Sequence, residues 1–139
     1  MHKKLAMVAT VAVMALFVVG CGGSASPTPK PAESAATTRI VELEIGASAI
    51  TPATVEVKKG ETITFNAKNV SDTEVELIVG LKTDVDADSG DSLKEAEEIA
   101  PGAIKSVTYT FDGDGPYAYG DQIGDHYAAG AKGDIVLAP

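Results

Sequence analysis

An antiparallel β-sandwich of about seven to eight strands is the fold this chain predicts, and three observations carry the prediction. Short runs that alternate apolar and polar residues recur from residue 39 onward, at strand length rather than helix length. Glycine and proline punctuate the gaps between them, as at Lys59-Gly60 and Pro101-Gly102. No stretch sustains a helical period long enough to pack an amphipathic helix. Together these are the marks of a single all-β domain.

Taken in order, Arg39 to Ile45 places Val41, Leu43 and Ile45 on one face and Glu42 and Glu44 on the other, a half-buried strand. Thr54 to Lys58 alternates again, Lys59-Gly60 turns the chain, and Thr62 to Ala67 resumes with Ile63, Phe65 and Ala67 aligned. This predicts two strands and a tight connection. Val75 to Leu81 is rich in β-formers and reads as a core strand. Ser92 to Ile99 is the one helix candidate, and it is short. Lys105 to Phe111 aligns Val107, Tyr109 and Phe111; Tyr117-Ala118-Tyr119 and Asp134 to Leu137 complete the series. Gly113-Asp114-Gly115 and Gly130-Ala131-Lys132-Gly133 fit hairpin turns. With no disulfide available the core alone must hold the domain, which its size allows by a small margin.

Ahead of the domain, His2, Lys3 and Lys4 precede an apolar run from Leu5 to Val19 that is too short for an ordinary membrane span, as in a secretory signal. Val18-Val19-Gly20-Cys21 resembles the lipobox of bacterial lipoproteins, in which the cysteine is acylated and becomes the new N-terminus. Residues 1–20 are therefore expected to be a signal peptide and Cys21 the lipidation site, with an uncleaved anchor as the other reading. Either way the domain lies outside the cytoplasm, at the periplasmic or surface face of the membrane. Residues 21–38, rich in Pro, Ser and Ala, hold too little apolar bulk to pack and read as a disordered tether. Such a tether reaches about 20 to 25 Å as a coil and up to about 50 Å as polyproline II. The domain itself spans 39–139.

The chain has 11 basic against 20 acidic residues, a net charge of −9. Losing residues 1–20 removes two lysines and no acid, which makes the remainder more acidic still. That sign repels phosphate backbones and anionic headgroups, excluding nucleic acid partners and electrostatic membrane docking. The membrane is reached through the lipid, and an envelope protein is the partner class left open.

Thr51-Pro52, the run Val55 to Phe65 and Asn69 resemble the opening of bacterial cupredoxin-like (plastocyanin-like) domains. Val75 to Gly80, Ile99-Ala100-Pro101-Gly102 and Tyr117 to Val136 are similar to later segments of that family, so the resemblance covers roughly residues 40 to 137. It implies a Greek-key sandwich and, in the family, a type 1 copper site of two imidazoles, a thiolate and a weak axial thioether. Carried over by position, the ligands fall on Val75, Asp121, His126 and Ala131, and only His126 is of the family's type. Beyond residue 20 the chain has no other histidine, no methionine, and no cysteine but Cys21. A blue-copper site is therefore rejected; copper-dependent electron transfer of the family's kind stays as an alternative that the missing Cys and Met ligands disfavour, since it would need a different cofactor or a partner's ligands.

Asp121 and His126, with Asp125 and Glu76 nearby in the resemblance, could hold Cu(II), Zn(II) or Fe in an open site; the bland reading is a solvated loop that binds nothing. Asp84, Asp86 and Asp88 stand at every second position, like the start of a calcium loop, but Gly90 comes one residue late. The bland reading there is a flexible acidic loop. Asp112 and Asp114 read as surface residues of a turn, and Tyr109, Tyr117, Tyr119 and Tyr127 as core and rim aromatics. No nucleophile elbow or triad order is present, so no enzymatic activity is expected. The sequence reading is a binding or scaffolding module without a cofactor, with divalent-metal handling through Asp121 and His126 as the alternative.

Overall fold

The computed structural model describes residues 38–139. The expected signal peptide, Cys21 and all of the tether but its last residue lie outside them. Thr38, assigned above to the tether, is the first residue of β1.

Among the described residues nine strands form two sheets. The first holds β1 (Thr38–Gly46), β2 (Ala49–Thr51), β4 (Thr62–Asn69) and β7 (Ile104–Thr110) in the order β2-β1-β4-β7. The second holds β3 (Thr54–Lys58), β5 (Val75–Leu81), β6 (Lys94–Ile99), β8 (Tyr117–Gly120) and β9 (Lys132–Ala138) in the order β3-β9-β8-β5-β6. Two short helices, α1 (Lys82–Ala87) and α2 (His126–Ala129), interrupt the strands.

The expected sandwich is present, with five corrections. It is not purely antiparallel, because β1 pairs with β4 and β3 with β9 in parallel. The cause is the tight Lys58–Thr62 connection, which carries the chain from one sheet to the other instead of closing a hairpin. Gly113-Asp114-Gly115 likewise crosses between sheets, from β7 to β8. Gly130, at φ 117°, ends α2 in a left-handed conformation that suits glycine, so that segment is a helix stop rather than a hairpin turn. Ser92 to Ile99 is no helix: Lys94–Ile99 is an edge strand whose Ala96 and Ile99 are buried. Conversely, the acidic stretch read as a loop begins with α1, whose Val85 packs with Ile78 and Ala118 on the outer face of the second sheet.

Between the sheets the alternating faces meet as the sequence predicts. Leu43, Ile45, Ile63, Phe65, Ala67, Val107 and Phe111 from one side interlock with Val55, Val57, Leu77, Val79, Tyr119 and Ile135 from the other. The Phe65 ring stands 6.3 Å from Phe111, edge to face, and 6.1 Å from Tyr119. Tyr119 needs room on its own sheet: a Cβ on Gly133 would sit 2.4 Å from its ring, so glycine alone fits there. Burial pushes the Tyr119 phenol up to about 12.

Register places Thr38, Thr62 and Thr110 at one pole of the sandwich and Ile45, Asn69 and Ile104 at the other. The chain therefore enters β1 at the pole away from Asn69. Asn69 ties both sheets together there: its Nδ2 donates to Thr73 O and Ile99 O (both 2.7 Å), and its Oδ1 accepts from Ser71 N and Oγ (both 2.8 Å).

Candidate functional site: a buried Asp–His pair at the Asn69 pole

The same pole carries the four positions to which the resemblance assigns ligands. Val75, first in β5, pairs with Ile99 and is fully buried. Asp121 follows β8, and its backbone N–H donates to Ala131 O (3.0 Å), which brings the two ends of the β8–β9 connection together. His126 opens α2, and its carbonyl accepts from Gly130 and Ala131 N–H, so one turn of helix returns the chain to Ala131.

His126 Nδ1 lies 2.7 Å from Asp121 Oδ2, with the Asp121 side chain fully buried and the imidazole 18% exposed. The carboxylate accepts, so Nδ1 carries the proton. The other oxygen, Oδ1, accepts from Ile123 N–H at 3.0 Å. Both Asp121 oxygens are thus used within the protein. Among the described residues no buried side-chain polar atom lacks a partner.

This donor set does not fit type 1 copper. Val75 and Ala131 offer only hydrocarbon, no thiolate or thioether is present among the described residues, and the Nδ1 of His126 is turned onto a carboxylate.

Of the other candidates, the structure brings Glu76 near Asp121 but gives it a different task. Its Oε1 accepts from Gln122 N–H (2.9 Å), pinning the loop that carries Asp121. Burial raises the Glu76 carboxyl above the usual carboxylate range, and the charge of Asp121 adds to this. A carboxyl with a raised folded-state value binds more protons folded than unfolded, so it lowers stability as pH rises through that range. Glu76→Gln keeps the acceptor and removes the charge. It is expected to raise the midpoint of thermal unfolding at pH 7, with the gain vanishing as pH falls below the ordinary glutamate value; a loss at pH 7 would contradict this placement.

Asp125 is exposed and makes no side-chain cap on α2. Asp84 Oδ2 accepts from Ser92 N–H, Asp86 accepts from the Tyr127 hydroxyl, and Asp88 is exposed in a left-handed C-cap. The three aspartates thus face different tasks, and among the described residues no three His, Cys, Asp or Glu side chains group to hold a metal.

Sequence reasoning missed the brace around the pair. Gln122 Nε2 donates to Val85 O (2.7 Å), and the Tyr127 ring lies over Gly120, where a Cβ would meet it at 2.4 Å. Lys132 stands 4.6 Å from that ring, and Lys82 bridges Asp134 at 3.2 Å. Burial and the neighbouring Asp86 push the Tyr127 phenol well up. Helix α1 therefore holds the Asp121 loop from outside, a link between distant segments that periodicity does not carry.

Comparison with known proteins gives the fold its family. A copper-resistant cuproprotein, CopI of Rubrivivax gelatinosus, is 25% identical over 122 residues, covering 81% of this chain and 74% of that protein. The crystal structure of dithionite-reduced auracyanin from Roseiflexus castenholzii superposes with a TM-score of 0.63 at 26% identity, covering 75% of this chain and 99% of auracyanin. An azurin of Methylomonas sp. strain J gives 0.60 at 14% identity, covering 72% and 98%, a likeness of fold. The model of the cupredoxin-like domain matches residues 9–137, and the chain belongs to that family.

Proposed function

We propose that this chain is a lipid-anchored cell-envelope binding module, without enzymatic activity, in which the cupredoxin-like sandwich has exchanged its copper site for the Asp121–His126 hydrogen bond. One observation carries the reading: the 2.7 Å bond from a histidine in the family's ligand position to a fully buried aspartate in place of the thiolate. A buried carboxylate satisfied by an imidazole and a backbone N–H makes a finished structure, whereas a metal held between the two side chains would have to break that bond. Copper added to the protein is expected to give no thiolate-to-copper colour and no stoichiometric uptake by native mass spectrometry. A single copper ion that disappears in His126→Ala would overturn the reading.

A second reading has its own support. The similarity to a copper-resistant cuproprotein and the partly exposed imidazole of His126 favour capture of a divalent cation, through the ring nitrogen not bonded to Asp121. Such a site has one or two protein ligands and water, so its binding is weak and dependent on pH. Stoichiometric uptake in the copper titration decides for it.

Anchoring rests on Cys21. Cys21→Ser is expected to move the protein from the membrane fraction to the soluble fraction; retention in the membrane would make the apolar run an uncleaved anchor.

A further inference from the structure

The four sheet edges are not alike. Edge β2 is three residues long, and β3 carries Glu56 and Lys58 in five residues. Edge β6 contains Lys94, Glu95, Glu97 and Glu98, and its pairing with β5 slips between Val75 and Leu77, with Glu98 in a left-handed conformation at φ 52°. Short length, charge and a bulge are the means by which edges avoid further pairing. Edge β7 has neither the short length nor the bulge, and little of the charge. It runs seven residues, Ile104 to Thr110, in unbroken register with β4, without Pro or Gly and with Lys105 as its one charge.

Backbone direction completes the picture. Phe111 N–H donates to Glu61 O and Asn69 N–H to Ala103 O, so the hydrogen-bonded pairs with β4 fall on the odd-numbered residues of β7. The N–H and C=O groups of Ile104, Ser106, Thr108 and Thr110 therefore point to the free edge. Beside it opens a cleft of about 620 Å³ lined by Glu95, Glu97, Glu98, Lys105 and Ser106. Lys105 is already committed, its Nζ donating to Glu97 O at 2.5 Å. Glu95, Glu97 and Glu98 are exposed, so the cleft beside β7 carries an excess of negative charge.

We propose that the free edge of β7 takes an extended, basic segment of a partner protein as an added strand. Backbone bonds at Ile104, Ser106, Thr108 and Thr110 give the pairing, and Glu95, Glu97 and Glu98 select lysine or arginine. A second copy of this chain fits less well, because each copy carries a net charge of −9 and the cleft is itself acidic. The inference rests on the binding-module reading and names its surface and partner class.

The test is amide hydrogen exchange on the full chain in detergent, with a seven-residue peptide alternating lysine and valine and the same peptide N-methylated at every second amide. The first peptide is expected to slow exchange at Ser106, Thr108 and Thr110 by about tenfold or more. The effect should be lost with the methylated peptide, and weakened by salt and by Glu95→Lys with Glu97→Lys. Thr108→Pro removes an outward N–H and should abolish the effect while β4 stays protected; the charge variants serve if it does not fold. Equal binding of the methylated peptide, no protection at millimolar peptide, or peptide-independent protection that grows with protein concentration overturns the proposal. Copper uptake at His126 alongside intact peptide protection would overturn the function reading alone.

Discussion

Phe65→Ala is expected to destabilise the protein by about 3–5 kcal/mol, the largest effect of a single truncation in the core. Phe65 is fully buried in the middle of β4, between Phe111 and Tyr119, with strands on both sides of it in the sheet. Removing the ring takes away its transfer free energy and leaves a cavity that β1 and β7 cannot close without breaking their registers with β4. For a domain of this size the loss lowers the thermal midpoint by more than about 12 °C. Urea unfolding should show the shift as a lower midpoint at unchanged slope. An unchanged midpoint would mean that the face of β4 turned to the core is not the one described.

His126→Ala is expected to cost about 2–4 kcal/mol in the metal-free protein. The imidazole is partly exposed and buries little apolar area, so its own packing loss is small. The cost arises at its partner. Asp121 stays buried with one backbone N–H, from Ile123, in place of two donors. A surface histidine in a solvated loop would cost less than about 0.5 kcal/mol, so chemical unfolding in a chelator separates the two cases.

Most strands were readable because each buries one face. Alternation in Val41-Leu43-Ile45, Ile63-Phe65-Ala67 and Val55-Val57 reports burial directly, and those residues form the core. Alternation does not report the partner strand, so the parallel pairs and the sheet-crossing turns were not visible. The segment Ser92 to Ile99 misled for a physical reason. Its Lys, Glu and Ala residues favour helix, but as the edge strand β6 it needs only Ala96 and Ile99 inside, and pairing with β5 overrides propensity. The Asp and Ser residues of 84–91 hid α1 in the same way, since Val85 alone is buried there.

At the site, the resemblance placed Asp121 and His126 at one pole, and the structure joins them. Their bond depends on the turn of α2 that returns His126 toward Ala131, a four-residue helix too short to show in any pattern. Glu76 was singled out as a ligand because it follows Val75; its bond to Gln122 N–H, 46 residues away, is a tertiary fact. The bracing by Asp86, Gln122 and Tyr127 belongs to the same class.

If the Asp121–His126 bond stands in place of the family's metal, the two side chains stabilise the fold through each other and not through copper. A double-mutant cycle of Asp121→Ala and His126→Ala, measured by urea unfolding in chelator and repeated with equimolar Cu(II), tests it most directly. A coupling energy of about 1–3 kcal/mol is expected without metal, unchanged when copper is added. Coupling near zero in chelator, together with copper-dependent stabilisation lost in His126→Ala, would contradict it.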